Sequence, residues 1–280
     1  MKLLTRIHRL IRHGGPVELL KGAFRFVYWQ SGLREARHAL GYKLHGSSVT
    51  KTIKNTTASF EVSTPAEYAR ANTLHNERSV IANVLQSLNS DDVFYDIGAN
   101  IGTYACFGGQ LLDDGSVIAF EPHPANIKRL QENAALNNVQ VKIRPVALSN
   151  EHGTSKLDVS GEDDQAGVGT HSLSTGDTGR TIQIDMVEGD RLIEAREIPP
   201  PSVMKIDVEG AEQLVLEGLT SALESERCHT IYCEVHPDRI SDFGGSEQEL
   251  RELLKINGYT IQIIKNRSPE YFLKAYQENK

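Results

Sequence analysis

The sequence predicts an α/β domain whose mainly parallel sheet is covered by helices on both faces. Three observations carry that expectation. From about residue 65 onward, short apolar runs of strand length alternate with amphipathic segments of helix length. Four of those apolar runs end at or beside an acidic residue: Asp96, Glu121, Asp207 and Glu234. The last two runs are joined by "KNRSPE", which reads as a hairpin and adds one antiparallel strand.

The elements follow in order. Leu3, Leu4, Ile7, Leu10 and Ile11 recur at helix spacing, Gly14-Gly15-Pro16 breaks the run, and 17–29 resumes it. Residues 46–57 read as a linker. A helix is predicted over 66–88, with Pro65 near its start and Glu67 in its first turn. Strand 93–97, helix 104–112 and the turn Asp113-Asp114-Gly115 lead to strand 117–120. Helix 124–136 and strand 139–145 come next, then short Thr-rich β-like pieces over 154–185 around a Gly-rich loop. Strand 203–207, helix 209–224, strand 230–235, helix 246–257 and the closing pair 259–264 and 271–276 complete the order. The organisation expected is a basic helical extension with linker at 1–57 and one globular domain at 58–280.

The net charge of -7 hides an asymmetry. Residues 1–45 hold nine Lys/Arg against Glu18 and Glu35, a balance of +7, so the remaining chain carries -14. An acidic body argues against broad nucleic-acid binding. The basic arm also carries Leu, Phe, Tyr and Trp, and two readings stay open: a helix lying peripherally on an anionic membrane surface, or a helical pair packed on the body with a solvated basic face. Cys106, Cys228 and Cys233 have no metal-like or framework spacing and read as reduced thiols in a cytoplasmic setting. No apolar run reaches membrane-spanning length, and Lys2, Arg6, Arg9 and Arg12 interrupt any signal-like segment, so the Asn55-Thr-Thr match reads as idle.

The stretch "FYDIGANIGTYACF" sets an acidic residue, Asp96, before Gly98, Asn100 and Gly102. That pattern ends a strand in a tight, open turn where backbone can approach a ligand. Glu121, 19 residues beyond Gly102, ends the next strand, where an acidic group can accept both hydroxyls of a ribose. Two cofactor classes compete for such a site. A dinucleotide wants G-x-G-x-x-G and a helix N-terminus for its pyrophosphate. Here the glycines are spaced G-x-x-x-G and preceded by an anion, which suits the sulfonium and ammonium groups of S-adenosyl-L-methionine better than a diphosphate.

The segments "DVFYDIGANIGTYACF", "VIAFEPHPANIKRLQENAALNN", "VALSN" and "MKIDVEGAEQLVLEG" closely resemble the FkbM family of S-adenosylmethionine-dependent methyltransferases, in order and spacing, over roughly 75–265. The resemblance implies a Rossmann-like seven-stranded methyltransferase sheet, with one antiparallel strand, and O-methylation. It places Asp96, Gly98 and Asn100, with Gly102 closing the turn, around the methionine end of the cofactor. It puts Glu121 on the ribose with Pro122 and His123 beside it, and Val146, Ala147 and Leu148 along the adenine. Asn133, inside a helix, is a weaker candidate that could simply face solvent.

Methyl transfer is an in-line displacement that depends on holding an acceptor oxygen at the methyl carbon, and a positioned base assists an alcohol nucleophile. Asp207 is the expected residue to orient the acceptor or take its proton, with His236 the rival base and Glu209 beside them. The bland readings are a first-turn Glu209 favoured by the helix dipole, a hydrogen-bonded structural His236, and Lys205 as a packing or ion-pair residue in its strand. Asp207, Glu234 and His236 could also hold Mg²⁺, although no metal is assigned. His171 and the loop 161–180 read either as a lid or as a surface insertion. The function expected is O-methylation of a hydroxyl on a saccharide, glycolipid or other glycoconjugate. An NAD-dependent dehydrogenase and a non-catalytic cofactor-binding scaffold are the alternatives.

Overall fold

A computed structural model describes residues 33–159, 166–167, 172–174, 176 and 180–278. The basic arm up to residue 32, His171 and most of the loop around it lie outside the described residues. Helix α1 (Leu33–His45) leads into a hairpin of β1 (Ser48–Ile53) and β2 (Thr56–Glu61). These residues were expected to be a linker, but they alternate buried and exposed positions, and Val49, Ile53, Ala58 and Phe60 enter the core.

Helix α2 (Pro65–Thr73) begins with a capping box: Thr64 accepts the Glu67 N–H while Glu67 accepts the Thr64 N–H. The single helix predicted over 66–88 does not form. Leu74, His75 and Asn76 all take positive φ (49°, 49° and 59°), which breaks the helix, and α3 (Arg78–Ser87) starts afresh.

Seven strands then make the main sheet: β3 (Val93–Ile97), β4 (Ser116–Phe120), β5 (Val141–Arg144), β10 (Val203–Ile206), β11 (Thr230–Val235), β12 (Thr260–Asn266) and β13 (Tyr271–Tyr276). Their order is β12-β13-β11-β10-β3-β4-β5, and only β13 runs against its neighbours. The expected seven-stranded sheet with one antiparallel strand is therefore present. Every residue of β3, β10 and β11 is buried, because helices cover both faces. Tyr95, Phe120, Met204 and Ile231 pack on one side, while Phe94, Val203, Tyr232 and Phe272 pack on the other. Among the described residues, no helix is long and apolar enough to cross a membrane.

Between β5 and β10 the chain forms a second, four-stranded sheet of order β6-β9-β7-β8: β6 (Ala147–Leu148), β7 (Gly153–Asp158), β8 (Ser172–Leu173) and β9 (Thr181–Val187). This is the Thr-rich β-like segment of the sequence. Helices α4 (Thr103–Gly109), α5 (Pro124–Leu136), α6 (Gly189–Glu194), α7 (Glu212–Glu217), α8 (Thr220–Glu224), α9 (Pro237–Ile240) and α10 (Glu247–Ile256) fill the connections. The helix predicted over 209–224 starts only at Glu212, since Glu209 has φ 56° and Gly210 φ 114°, and it is divided at Gly218–Leu219 into two short pieces. Strand β10 pairs with β3, so the sheet grows in opposite directions from that pair. Their carboxyl ends are thus the place where an open α/β sheet leaves a crevice.

Candidate active site

The turn after β3 is shaped by close approach. Gly98 has φ 71°, and a Cβ there would lie 1.9 Å from the Asp207 carbonyl oxygen. Asn100, also left-handed at φ 51°, donates its N–H to Glu121 Oε2 at 2.7 Å. Gly102, at φ 81°, opens α4 against Leu130 and does not line the crevice. Around the crevice stand Gly98, Asn100, Glu121, Pro122, Ala147, Leu148, Asp207 and Glu209, so most of the sequence candidates converge there.

Glu121 is held by three donors: the Asn100 N–H on Oε2, and the His123 N–H (2.9 Å) and Asn126 Nδ2 (3.3 Å) on Oε1. Burial pushes its carboxyl up, while these bonds favour the anion. Each oxygen has two lone pairs, so Oε1 is filled and one acceptor site remains on Oε2 for a ligand. His123 contributes its backbone here and is itself fully buried. Asn133 is buried too and does not face solvent; it ties Ile101 O to the Glu61 N–H.

Asp96 lies beneath the turn, completely buried, with Oδ2 accepting the Ala105 N–H at 2.9 Å. Its register partner on β10 is Lys205, whose Nζ sits 3.4 Å from Asp96 Oδ1 and 3.6 Å from Asp207 Oδ2. Lys205 also donates to Gly98 O at 2.7 Å. Burial would lower this ammonium, but Asp207 and Asp96 together raise it, so it remains a cation. The ion-pair reading of Lys205 holds, and its position ties the two turns to each other.

Burial alone would raise the Asp207 carboxyl. Lys205, His236, Arg70 and His75 outweigh burial and hold it below the ordinary carboxylate range. An ionised carboxylate thus stands at the carboxyl end of β10, on one side of β3, and Glu121 follows β4 on the other side.

Residues 96–261 match the Methyltransferase FkbM domain. The chain belongs to the FkbM methyltransferase family. It is 34% identical over 223 residues to hexuronic acid methyltransferase AglP of Haloferax volcanii, covering 79% of this chain and 86% of that one. It is 29% identical over 200 residues to 31-O-demethyl-FK506 methyltransferase FkbM of Streptomyces tacrolimicus, covering 62% and 75%. Among solved structures it is similar to precorrin-6y C5,15-methyltransferase from Geobacter metallireducens, with 14% identity, 72% and 88% coverage and a TM-score of 0.44. Membership in this family makes the protein a methyltransferase and sets aside the dehydrogenase alternative.

In this FkbM methyltransferase the loop after β10 brings Glu209 beside Asp207. Burial, then the Asp207 charge, push the Glu209 carboxyl up to about 7. Arg239 donates to Glu209 Oε2 at 2.5 Å, and His236 Nε2 lies 3.5 Å from the same oxygen. His236 Nδ1 meets Glu212 Oε1 at 2.6 Å, both side chains being buried. Burial disfavours an imidazolium, yet the Glu212 hydrogen bond and the acidic neighbours raise His236 to about 9. At neutral pH it is protonated, which leaves it no lone pair with which to take a proton.

Glu234, the fourth strand-end carboxylate, does not line the crevice. Its Oε1 accepts from Arg267 at 2.9 Å, and Arg267 also holds Glu77 at 3.0 Å. The Mg²⁺ set Asp207–Glu234–His236 is therefore not the one that converges; Asp207, Glu209 and His236 do, with ligand atoms within 4.8 Å of one another. Lys205 faces Asp207, Arg239 bonds Glu209 and His236 is itself a cation, so this donor set is already charge-compensated. Sequence reasoning missed Arg70, Glu77 and Arg267, which come from outside the core motifs and which no local pattern marked.

Proposed function

We propose that this methyltransferase uses S-adenosyl-L-methionine to methylate an oxygen of a saccharide or glycoconjugate acceptor. The observation that carries the reading is the placement of Glu121 and Asp207 at the two strand ends flanking β3, around a turn that only glycine can form. Apolar Ala147, Leu148, Leu157 and Leu173 line the same crevice, a surface suited to a purine. Acidic side chains around it fit a cationic nucleoside and would repel a diphosphate. The bound cofactor supplies an electrophilic methyl group on a sulfonium.

The rest of the mechanism belongs to this chain's residues. Glu121 Oε2 would accept from a ribose hydroxyl, and the turn 98–102 would receive the amino-acid end. Asp207, kept ionised, accepts a hydrogen bond from the acceptor hydroxyl and orients it. Glu209, poised at about 7, takes the proton as the C–O bond forms. His236, as an imidazolium, positions Glu209 and keeps its carboxylate turned to the crevice. The saccharide acceptor is supported by the likeness to a hexuronic acid methyltransferase.

Calorimetry with S-adenosylmethionine, S-adenosylhomocysteine and NAD, followed by mass analysis of incubated glycolipids and oligosaccharides for a gain of one methylene, tests the reading. Heat with neither sulfonium nor thioether nucleoside would sink it.

A further inference from the structure

Arg70 is the one cationic side chain among the described residues lining the crevice, where the acidic ones are Glu121, Asp207 and Glu209. Its Nε is buried and has no hydrogen-bond partner. Its charge reaches Glu77 and Asp207, yet among the described residues no ion pair engages it. The neighbouring cations are all engaged: Lys205 with Gly98 O and Asp96, Arg239 with Glu209, Arg267 with Glu77 and Glu234. A buried guanidinium donor without an acceptor is destabilising unless a ligand completes it.

Arg70 is also held in place. The Leu74 N–H caps α2 on Arg70 O. The carbonyls of His75 and Asn76, in the left-handed segment that follows, are bound by Arg267 and Lys265 from the β12–β13 hairpin. The last turn of α2 is therefore fastened at its carboxyl end, which fixes the root of the Arg70 side chain.

We propose that Arg70 binds a carboxylate of a ligand in this crevice. A planar guanidinium pairs with a carboxylate through two parallel hydrogen bonds. Three acidic side chains in the same crevice favour a singly charged group over a doubly charged phosphate. The proposal rests on the methyl-donor reading above and leaves two sources: the amino-acid end of the donor, or a uronate on the acceptor sugar.

The test compares wild type, Arg70→Ala and Arg70→Lys by calorimetry. The first arm uses S-adenosylhomocysteine and 5′-methylthioadenosine, which lacks the amino-acid group. The second titrates p-nitrophenyl glucuronide and p-nitrophenyl glucoside into enzyme saturated with S-adenosylhomocysteine. If the donor's carboxylate is bound, Arg70→Ala weakens S-adenosylhomocysteine by roughly 10–100-fold and leaves methylthioadenosine unchanged. If the acceptor's is bound, the nucleosides are unchanged, and the glucuronide alone loses about the same factor. Arg70→Lys, which keeps the charge but not the fork, recovers part of either loss and serves if the alanine variant does not fold. Unchanged affinities for all four compounds overturn the proposal. No nucleoside binding by wild type brings down the methyl-donor reading, and the proposal with it.

Discussion

The Asp207 carbonyl oxygen occupies the space in which a side chain on Gly98 would begin, 1.9 Å from its Cβ. The turns after β3 and β10 are closed on each other's backbone, and the Asp207 N–H adds a 3.1 Å bond to Ile97 O. Gly98→Ala must part the two strand ends and also hold a φ of 71°. It is expected to destabilise the fold by roughly 1–3 kcal/mol and to weaken S-adenosylhomocysteine more than about tenfold. Melting curves and calorimetry check both effects, and retained affinity would show the contact to be dispensable.

Asp207→Asn removes the fixed anion while keeping the shape. Turnover is expected to fall by about 100-fold or more, with nucleoside affinity changing by less than about threefold. A parallel loss of both would reassign Asp207 to cofactor binding.

With Glu209 as the proposed base, this side chain is expected to set the acid limb of the pH–rate profile. Its carboxyl titrates at about 7, and the base must be ionised, so wild-type turnover falls as pH drops through that value. Glu209→Gln is expected to abolish this limb together with roughly 10²–10⁴-fold of rate. Arg239→Met, which removes a neighbouring cation, moves the midpoint upward. A limb that survives in Glu209→Gln assigns the proton elsewhere.

The Glu212–His236 bond makes a stability prediction with a defined sign. His236 titrates at about 9 in the folded chain, above its ordinary 6.5, so its contribution is fully present below pH 6.5 and is lost as pH rises through about 9. The difference corresponds to something on the order of 3 kcal/mol. Glu212→Gln leaves burial as the main influence and lowers the His236 midpoint, which NMR titration of the ring follows directly. The melting-temperature gap between wild type and variant is widest below pH 6.5 and closes above about pH 9.

The succession of strands and helices along the chain, the glycine turn and the acidic strand ends were legible because each is a local pattern with a physical reason behind it; the order of strands within the sheet was not read. The break after α2 was not, since nothing in "TLHN" announces three consecutive left-handed residues. The β1–β2 hairpin hid in a Ser/Thr-rich stretch whose alternation is weak until Phe60 is seen in the core. Asn133 looked like a solvated helix residue because its partners, Glu61 and Ile101, are supplied by other elements. Glu234 turned away from the crevice for a partner 33 residues later, and Arg70 was one polar position among several on an amphipathic helix.

The hairpin also bears on where this enzyme can be cut. Phe60 is fully enclosed and packs on Phe107 with ring centroids 5.9 Å apart, while Asn137 and Asn133 bond the backbone of Ser59 and Glu61. A truncated chain starting at the edge of the recognisable domain would leave α4 and α5 with a greasy, unpaired flank beside the glycine turn. Shortened versions meant for crystallisation or screening should therefore keep everything from Ser48 onward.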